Sequence, residues 1–141
     1  MPGFWDASAL VPLCVPAASP QHSRRLLHQY APVVWWGSGI EVQSALARLK
    51  RERLLLDKHY LAALQRLSML SKGWREIQPT TRLRDIAGNR IDLHELRAAD
   101  ALQLAAALVW CNERPKNRVF LCRDIRLQEA ARREGFDAVQ L

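Results

Sequence analysis

The stretch from Leu96 to Trp110 constrains the fold of this chain more than any other part. It consists mainly of Leu and Ala, which favour a helix, and apolar residues lie on nearly every side of that helix. The stretch therefore predicts a helix that is buried all round. One carboxylate, Asp100, lies within it, and a buried carboxylate requires a cation, a proton or a hydrogen-bonding partner. An ion pair with Arg97, three residues earlier, is the simplest explanation.

Three other acidic residues, Asp6, Glu41 and Asp124, also have apolar neighbours, whereas the remaining acids mostly lie among Arg, Lys, Gln or Asn. Each of the three has an ordinary structural alternative. Asp6 suits an Asx turn, Glu41 suits a capping box with Ser38, and Asp124 suits the N-cap of the last helix. Four such acids, all near junctions of strands and helices, favour a shared function over four separate coincidences.

Short apolar runs that alternate with helical segments predict the fold class. We expect strands at 3–6, 32–36, 74–78, 118–122 and 138–141, and helices at 21–30, 40–53, 57–71, 96–110 and 124–134. Residues 12–20 contain three prolines and predict an irregular segment or a broken helix, and residues 81–86 predict a helical turn that ends before Gly88-Asn89. In the helix at 57–71, the expected buried face consists of Leu61, Leu64, Leu67 and Leu70.

This alternation predicts an α/β, three-layer domain with a central parallel sheet of about five short strands flanked by helices. The chain has 141 residues and no linker tract, which indicates a single domain over 1–141. No apolar run is long enough to span a membrane and no signal peptide is evident, so we expect a cytoplasmic protein. Three cysteines without a CxxC pair predict reduced thiols, and the scattered histidines argue against a zinc site.

The predicted topology also brings the four acids together. Asp6 and Asp124 each follow a strand, Glu41 opens the helix after the second strand, and Asp100 lies near the start of its helix. The carboxyl ends of parallel strands meet at one edge of a sheet, so one crevice can hold all four side chains. Clustered carboxylates repel one another, and a hard divalent cation relieves that repulsion. We therefore expect Mg²⁺ or Mn²⁺, which can activate water and stabilise a phosphodiester during hydrolysis.

The charge of the chain is consistent with a polyanionic partner, because 21 basic residues against 14 acidic ones give a net charge of +7. We assign substrate contacts to Ser8, Arg97 and Arg123. A second basic group lies close in sequence to Glu41 and comprises Arg48, Lys50, Arg51 and Arg53. These residues either contact the phosphates of the substrate or form a solvated helix face.

In this order and spacing, the residues resemble the PIN-domain ribonucleases, and among them the VapC-type toxins. The resemblance covers essentially the whole chain and rests on Asp6-Ala7-Ser8-Ala9-Leu10, Glu41, Leu96–Ala107, Phe120–Asp124 and Ala130–Phe136. It implies a Mg²⁺- or Mn²⁺-dependent RNA endonuclease whose catalytic acids are Asp6, Glu41, Asp100 and Asp124. We assign the metal to Asp6, Asp100 and Asp124. Cys122 departs from the family, whose members often carry Thr or Ser there.

The resemblance also implies a homodimer and a cognate antitoxin that covers the site. Apolar side chains in excess of the needs of a small core support a partner surface, namely Trp35, Trp36, Leu54, Leu55, Leu56 and Tyr60. We expect a groove over 40–71 that accepts an amphipathic antitoxin segment, with an antitoxin arginine entering the acidic cluster. The alternative function is a catalytically silent PIN-like module that binds RNA or protein, although a polyanion binder gains nothing from four buried negative charges.

Overall fold

The structure, a computed structural model, describes residues 1–15 and 21–141. Strands and helices alternate along this part of the chain, as the sequence predicts. The strands are β1 (Pro2–Trp5), β2 (Ala31–Trp35), β3 (Arg75–Ile77), β4 (Val119–Cys122) and β5 (Asp137–Gln140). The helices are α1 (Ala7–Cys14), α2 (Gln21–Gln29), α3 (Ser38–Arg51), α4 (Asp57–Gly73), α5 (Thr81–His94), α6 (Ala98–Trp110) and α7 (Ile125–Glu134).

The strands form one sheet in the order β3-β2-β1-β4-β5, and all neighbouring strands are parallel. In the central strand β1, Phe4 pairs with Val33 on one side and with Phe120 on the other. Successive residues of a strand face opposite sides of a sheet. Phe4 accordingly packs in the core beneath α5, α6 and α7, and Trp5 packs in the core beneath α1 to α4. The predicted three-layer α/β fold with about five short parallel strands is therefore confirmed.

Helix α6 is the buried helix that the sequence predicts, but its first turn is open. From Ala101 to Leu108 every residue except Leu102 is buried, with an exposed fraction of at most 1%. Ala98 and Ala99 are exposed, and Asp100 is half-buried. Complete burial therefore begins just after Asp100, which leaves this carboxylate at the boundary between the core and the solvent.

The segment around Pro12 differs from the prediction over the part that the structure describes. Instead of an irregular segment, α1 continues through Pro12 as far as Cys14. A proline in a helix interior removes one N–H donor and is normally destabilising. Here the burial of Leu10, Pro12 and Cys14 against the sheet offsets that cost. Pro16 and Pro20 lie outside the described residues.

Helix α5 is longer than predicted, because residues 81–94 form one continuous helix across Gly88-Asn89. Thr80 caps the helix by accepting a hydrogen bond from the backbone N–H of Leu83. Leu83, Ile86 and Ala87 are buried in the core shared with α6, and this packing outweighs the low helix propensity of the exposed Gly88. Packing against α6 thus stabilises a helix that the local sequence predicts to end before Gly88-Asn89.

Two smaller predictions on the other face of the sheet were also wrong. Helix α3 begins at Ser38 rather than Ile40, because Gly37 is its N-cap and the N–H of Glu41 already bonds to the Gly37 carbonyl. On α4, the error concerns Leu61 alone, which is 61% exposed; Leu67 is buried, and Leu64 and Leu70 pack partly buried against the same core.

Candidate active site

The carboxylates of Asp6 and Asp124 each cap the helix that follows their strand. Asp6 is the N-cap of α1, and its Oδ2 accepts hydrogen bonds from the backbone N–H of Ser8 at 3.0 Å and from the Ser8 hydroxyl. Asp124 is the N-cap of α7 and accepts a hydrogen bond from the backbone N–H of Leu127 at 2.9 Å. Both residues therefore have the local structural role that the sequence offered as an alternative to catalysis. These hydrogen bonds fix both carboxylates at the carboxyl edge of the sheet.

Ser8 and Cys122 join these two capping sites. The Ser8 hydroxyl accepts a hydrogen bond from the backbone N–H of Arg123 at 2.9 Å, and the Cys122 Sγ lies 3.7 Å from Asp6 Oδ2. The backbone N–H of Asp124 donates to the same sulfur at 3.2 Å. Burial, and secondarily the charge of Asp6, raise the pKa of the Cys122 thiol, so it stays protonated. Cys122 thus acts in this structure as a neutral partner of Asp6.

Glu41 is positioned by a glutamine rather than by the predicted capping box, which was wrong. The Gln103 Nε2 donates to Ser38 Oγ at 3.0 Å and to Glu41 Oε1 at 3.1 Å. Gln103 is completely buried on α6, and its amide holds Glu41, which lies on α3. Gln103 was not among the site residues predicted from the sequence. The sequence feature that could have identified it is its position, a lone amide three residues after Asp100 in an otherwise apolar helix.

The pKa values indicate that the four acids lie within electrostatic reach of one another. Burial raises the pKa of Glu41 to about 7, and the charges of Asp6 and Asp100 add to this effect. Burial also raises the pKa of Asp100 to about 6, with further increases from Asp124 and Asp6, which Arg97 and Arg126 partly oppose. The pKa of Asp6 is raised mainly by burial. The structure therefore links the four acids through Asp100, whose charge interacts with those of Asp6, Glu41 and Asp124.

This cluster fits a hard divalent cation in its donor chemistry. All four groups are carboxyls, and the side chains that hydrogen-bond to Asp6 and Glu41 are neutral ones, from Ser8, Cys122 and Gln103. Within residues 1–15 and 21–141, however, no three His, Cys, Asp or Glu side chains are grouped so that they could hold a metal ion. The cluster thus has the charge and the oxygen atoms for a cation, but not a ready-made set of direct ligands.

A cleft of about 520 Å³ opens beside two of the acids, and its lining consists of Arg97, Asp100, Arg123, Asp124, Ile125 and Arg126. Arg97 and Arg123, which we assigned to substrate contacts, therefore flank Asp100 and Asp124. Ser8 does not line this cleft, because it is engaged with Asp6 and the Arg123 backbone. Arg126 was not anticipated from the sequence.

Arg97 and Arg126 lie where a helix disfavours positive charge. Arg97 is the N-cap of α6, and Arg126 lies in the first turn of α7, which contains no acidic residue. The helix dipole makes both positions unfavourable for a cation. In the part of the chain that the structure describes, neither guanidinium forms a salt bridge. Both are therefore available to an anion that enters the cleft.

The candidate partner surface contains a groove of about 390 Å³ between β3, α3 and α4, whose lining includes Trp36, Ile40, Leu64 and Trp74. Trp36 is 55% exposed while Trp35 is buried, as expected for neighbours on opposite sides of a strand end. Leu54 and Leu56 are also exposed. Leu55 is not, because its side chain packs in the core with α1 and α4, so its assignment to the exposed surface was wrong.

No protein-family model and no curated protein sequence matches the chain. Solved structures that are similar to it include the following three. A toxin–antitoxin complex from Klebsiella pneumoniae matches with 14% identity over 86% of each chain and a TM-score of 0.61. PAE2754 from Pyrobaculum aerophilum matches with 18% identity over 99% of this chain and 89% of the other, with a TM-score of 0.67.

The third similar structure is VapBC2 from Rickettsia felis bound to a DNA fragment from their promoter. It matches with 11% identity over 99% of this chain and 98% of the other, with a TM-score of 0.67. The fold is PIN-like. At these identities the likeness concerns the fold alone, which confirms the predicted resemblance at that level. Within the described residues of this PIN-like chain, no helix is long and apolar enough to cross a membrane.

Proposed function

We propose that this chain is a Mg²⁺- or Mn²⁺-dependent endoribonuclease that hydrolyses phosphodiester bonds in RNA, and that it is the toxin of a VapBC-type pair. The observation that carries the proposal is the electrostatic interaction of Asp100 with Asp6, Glu41 and Asp124 beside an arginine-lined cleft. The likeness in fold to chains of toxin–antitoxin structures adds support. Carboxylates attract the cation, and arginines attract the phosphate, so both reactants meet in one place.

Each residue then has a role that follows from its position. Asp6, Asp100 and Asp124 would hold the divalent cation partly through its bound waters, because the described side chains do not form a ready-made set of direct ligands, and the cation would supply an activated water and neutralise charge on the phosphate. Gln103 holds one oxygen of Glu41, and among the described residues no side chain hydrogen-bonds to the other carboxyl oxygen, which can accept a proton from the attacking water. Arg97, Arg123 and Arg126 bind the phosphate oxygens that flank the bond to be cut.

The catalytically silent module remains the second candidate. It is favoured by the lack, among the described side chains, of three metal-ligating groups placed together. The two functions differ in their response to cations, because only the nuclease requires that the acids bind one.

Asp100→Asn separates the two functions. It preserves the size of the side chain and removes the charge that we assign to the cation. We expect Mn²⁺ binding by calorimetry to weaken at least tenfold and cleavage of a single-stranded RNA in Mg²⁺ to be abolished, while the thermal unfolding temperature in EDTA is maintained or raised. Asp85→Asn, an exposed aspartate on α5, is the matched control and should leave binding and cleavage unchanged. Cleavage by Asp100→Asn at the wild-type rate would refute the site assignment.

We also propose a homodimer and an antitoxin whose amphipathic segment occupies the groove between β3, α3 and α4, with an arginine that pairs with the acids. Ile40 is 72% exposed and lines the groove, whereas Met69 is 71% exposed and does not. Ile40→Asp should therefore abolish binding of the protein encoded by the adjacent reading frame, and Met69→Asp should not. Light scattering of the purified chain measures its mass. A strictly monomeric wild type would contradict the homodimer, and equal partner binding by both variants would contradict the groove.

A further inference from the structure

A second, smaller cavity adjoins the arginine-lined cleft. It has a volume of about 150 Å³ and is lined by His94, Glu95, Arg126, Glu129, Ala130 and Arg133. Arg126 lines both openings, so the two are neighbours across one guanidinium group. An RNA strand whose phosphate lies in the cleft would therefore bring an adjacent nucleotide to the smaller cavity.

The cavity carries hydrogen-bond donors and acceptors in equal measure. Arg126 and Arg133 offer planar sets of N–H donors, and Glu95 and Glu129 offer pairs of acceptor oxygens. Arg133 and Glu129 lie 4.0 Å apart at their closest atoms, which is too far for a hydrogen bond, and both side chains are more than 60% exposed. Among the described residues, Glu95 and Arg126 form no salt bridge. All four groups are therefore available to a ligand.

A partly buried hydrogen-bond network fixes the wall behind these groups. Glu134 accepts hydrogen bonds from Arg90 at 2.9 and 3.1 Å, and its Oε2 lies 2.6 Å from His94 Nε2. The His94 side chain is only 5% exposed. This network joins the end of α5 to the end of α7, so the cavity between the two helices has a rigid floor.

Glu95 occupies a position that ordinarily suits glycine. It ends α5 with a φ of 55°, in the left-handed region that non-glycine residues adopt at a cost in free energy. That conformation directs the chain between α5 and α6 at the edge of the cavity.

We propose that this cavity is a nucleobase subsite and that it selects guanine; the inference rests on the proposed ribonuclease function, because the shared Arg126 places the base beside the phosphate. Guanine alone among the four bases presents two adjacent donors, N1–H and the 2-amino group, which match the two oxygens of a carboxylate. Its O6 and N7 acceptors match a guanidinium. The cavity is well below the roughly 300 Å³ at which pockets for larger ligands begin, so one base fits better than a whole nucleotide.

The test measures binding and leaves cleavage aside. Wild-type protein in EDTA is titrated, by fluorescence anisotropy, into short single-stranded RNAs of adenosine that carry one guanosine, inosine or adenosine at each position in turn. We expect one position where guanosine binds about 5- to 30-fold more tightly than adenosine. Inosine, which lacks the 2-amino group, should lose most of that preference.

The double variant Glu95→Gln/Glu129→Gln should abolish the preference, and its affinity for the all-adenosine RNA should not fall, because the loss of two negative charges does not weaken the attraction for a polyanion. Glu113→Gln and Arg132→Gln, which alter exposed charges outside the cavity, are the matched controls and should retain the preference. Melting curves verify that all variants are folded. A wild type without guanosine preference, or a preference that survives in the double variant, would overturn the subsite.

A parallel cleavage assay in Mg²⁺ distinguishes failure of this inference from failure of the proposed function. Metal-dependent cleavage without guanosine preference leaves the nuclease intact and refutes the subsite. Guanosine preference in binding without any cleavage refutes the nuclease and retains the base-binding cavity.

Discussion

Replacing Glu41 with glutamine tests whether the acidic cluster is a burden on the metal-free protein. Gln has nearly the same shape as Glu, and its oxygen can still accept the hydrogen bond from Gln103, so the change isolates the charge. The pKa of Glu41 rises from an ordinary value of 4.5 to about 7 in the folded chain. Below pH 4.5 the folded and unfolded states both hold the proton, and Glu41 contributes no difference in stability.

Between pH 4.5 and about 7 the folded state holds a proton that the unfolded state has released. The free energy of unfolding therefore falls as the pH rises through this window, and the full penalty persists above it. A shift of this size corresponds to roughly 3 kcal/mol at 1.36 kcal/mol per pKa unit, which partial exposure of Glu41 reduces to about 1–2 kcal/mol. Glu41→Gln should thus be more stable than the wild type by about that amount at pH 8, and nearly equal to it at pH 4.5.

Urea unfolding in EDTA at both pH values measures this difference directly. Comparing the variant with the wild type at each pH cancels the contributions of groups that do not interact with Glu41. One such group is Glu134, whose pKa is lowered, against the opposing effect of burial, by its hydrogen bonds with Arg90 and His94. A variant that is less stable than the wild type at pH 8, or a difference that is independent of pH, would refute the electrostatic argument.

Three further outcomes are expected. Gln103→Leu removes the only side-chain donor that the described residues give to Glu41 and leaves buried Ser38 without its partner. The variant should lose about 1–3 kcal/mol of the free energy of unfolding in urea. Gln128→Leu, which breaks no such contact, should lose less. Gly135→Ala should destabilise the chain by about 1–2 kcal/mol in the same assay, because φ is 111° and a Cβ would lie 3.2 Å from a Pro115 carbon. RNA affinity in EDTA should fall with salt, and Arg126→Gln should reduce the slope of log K against log salt by roughly 0.7, as for one lost phosphate contact; an unchanged slope would remove Arg126 from the substrate path.

Much of this fold was predictable from local sequence, because parallel strands and their helices carry strong patterns. Val119–Cys122 is uniformly apolar and forms the buried strand β4, and Gly135 ends α7 where a left-handed residue is needed. The predictions were wrong where long-range packing determines whether an element continues. Nothing local to Gly88 indicates that Leu83 and Ile86 will pack on α6 and carry the helix through it.

The candidate site likewise has residues that could be predicted from the sequence and residues that could not. Each acid was identifiable on its own, because it stood among apolar residues. Ser8 and Leu127, whose backbone N–H groups donate to Asp6 and Asp124, are local, but other partners come from elsewhere in the chain: Gln103 reaches Glu41 across 62 positions, and Cys122 approaches Asp6 across 116. Arg126 gave no signal, because a lone arginine among charged residues of α7 is typical of any exposed helix face. Only the three-dimensional structure shows that it borders two cavities.

The distribution of charge indicates what the acidic cluster lacks in the isolated chain. Neutral groups hydrogen-bond to Asp6 and Glu41, and the arginines near Asp100 lie at the rim of the cleft, where solvent screens them. The repulsion among the carboxylates is therefore left for a ligand to relieve. A divalent cation that binds only the folded state adds RT ln(1 + [L]/Kd) to stability, which is about 2.7 kcal/mol at one hundred times Kd. Mg²⁺ should consequently stabilise the wild type more at pH 8 than at pH 5.5, where protons already neutralise Glu41 and Asp100 in part. Melting curves with and without Mg²⁺ at the two pH values measure this, and a stabilisation that is equal at both would mean that Mg²⁺ acts elsewhere than on the acids.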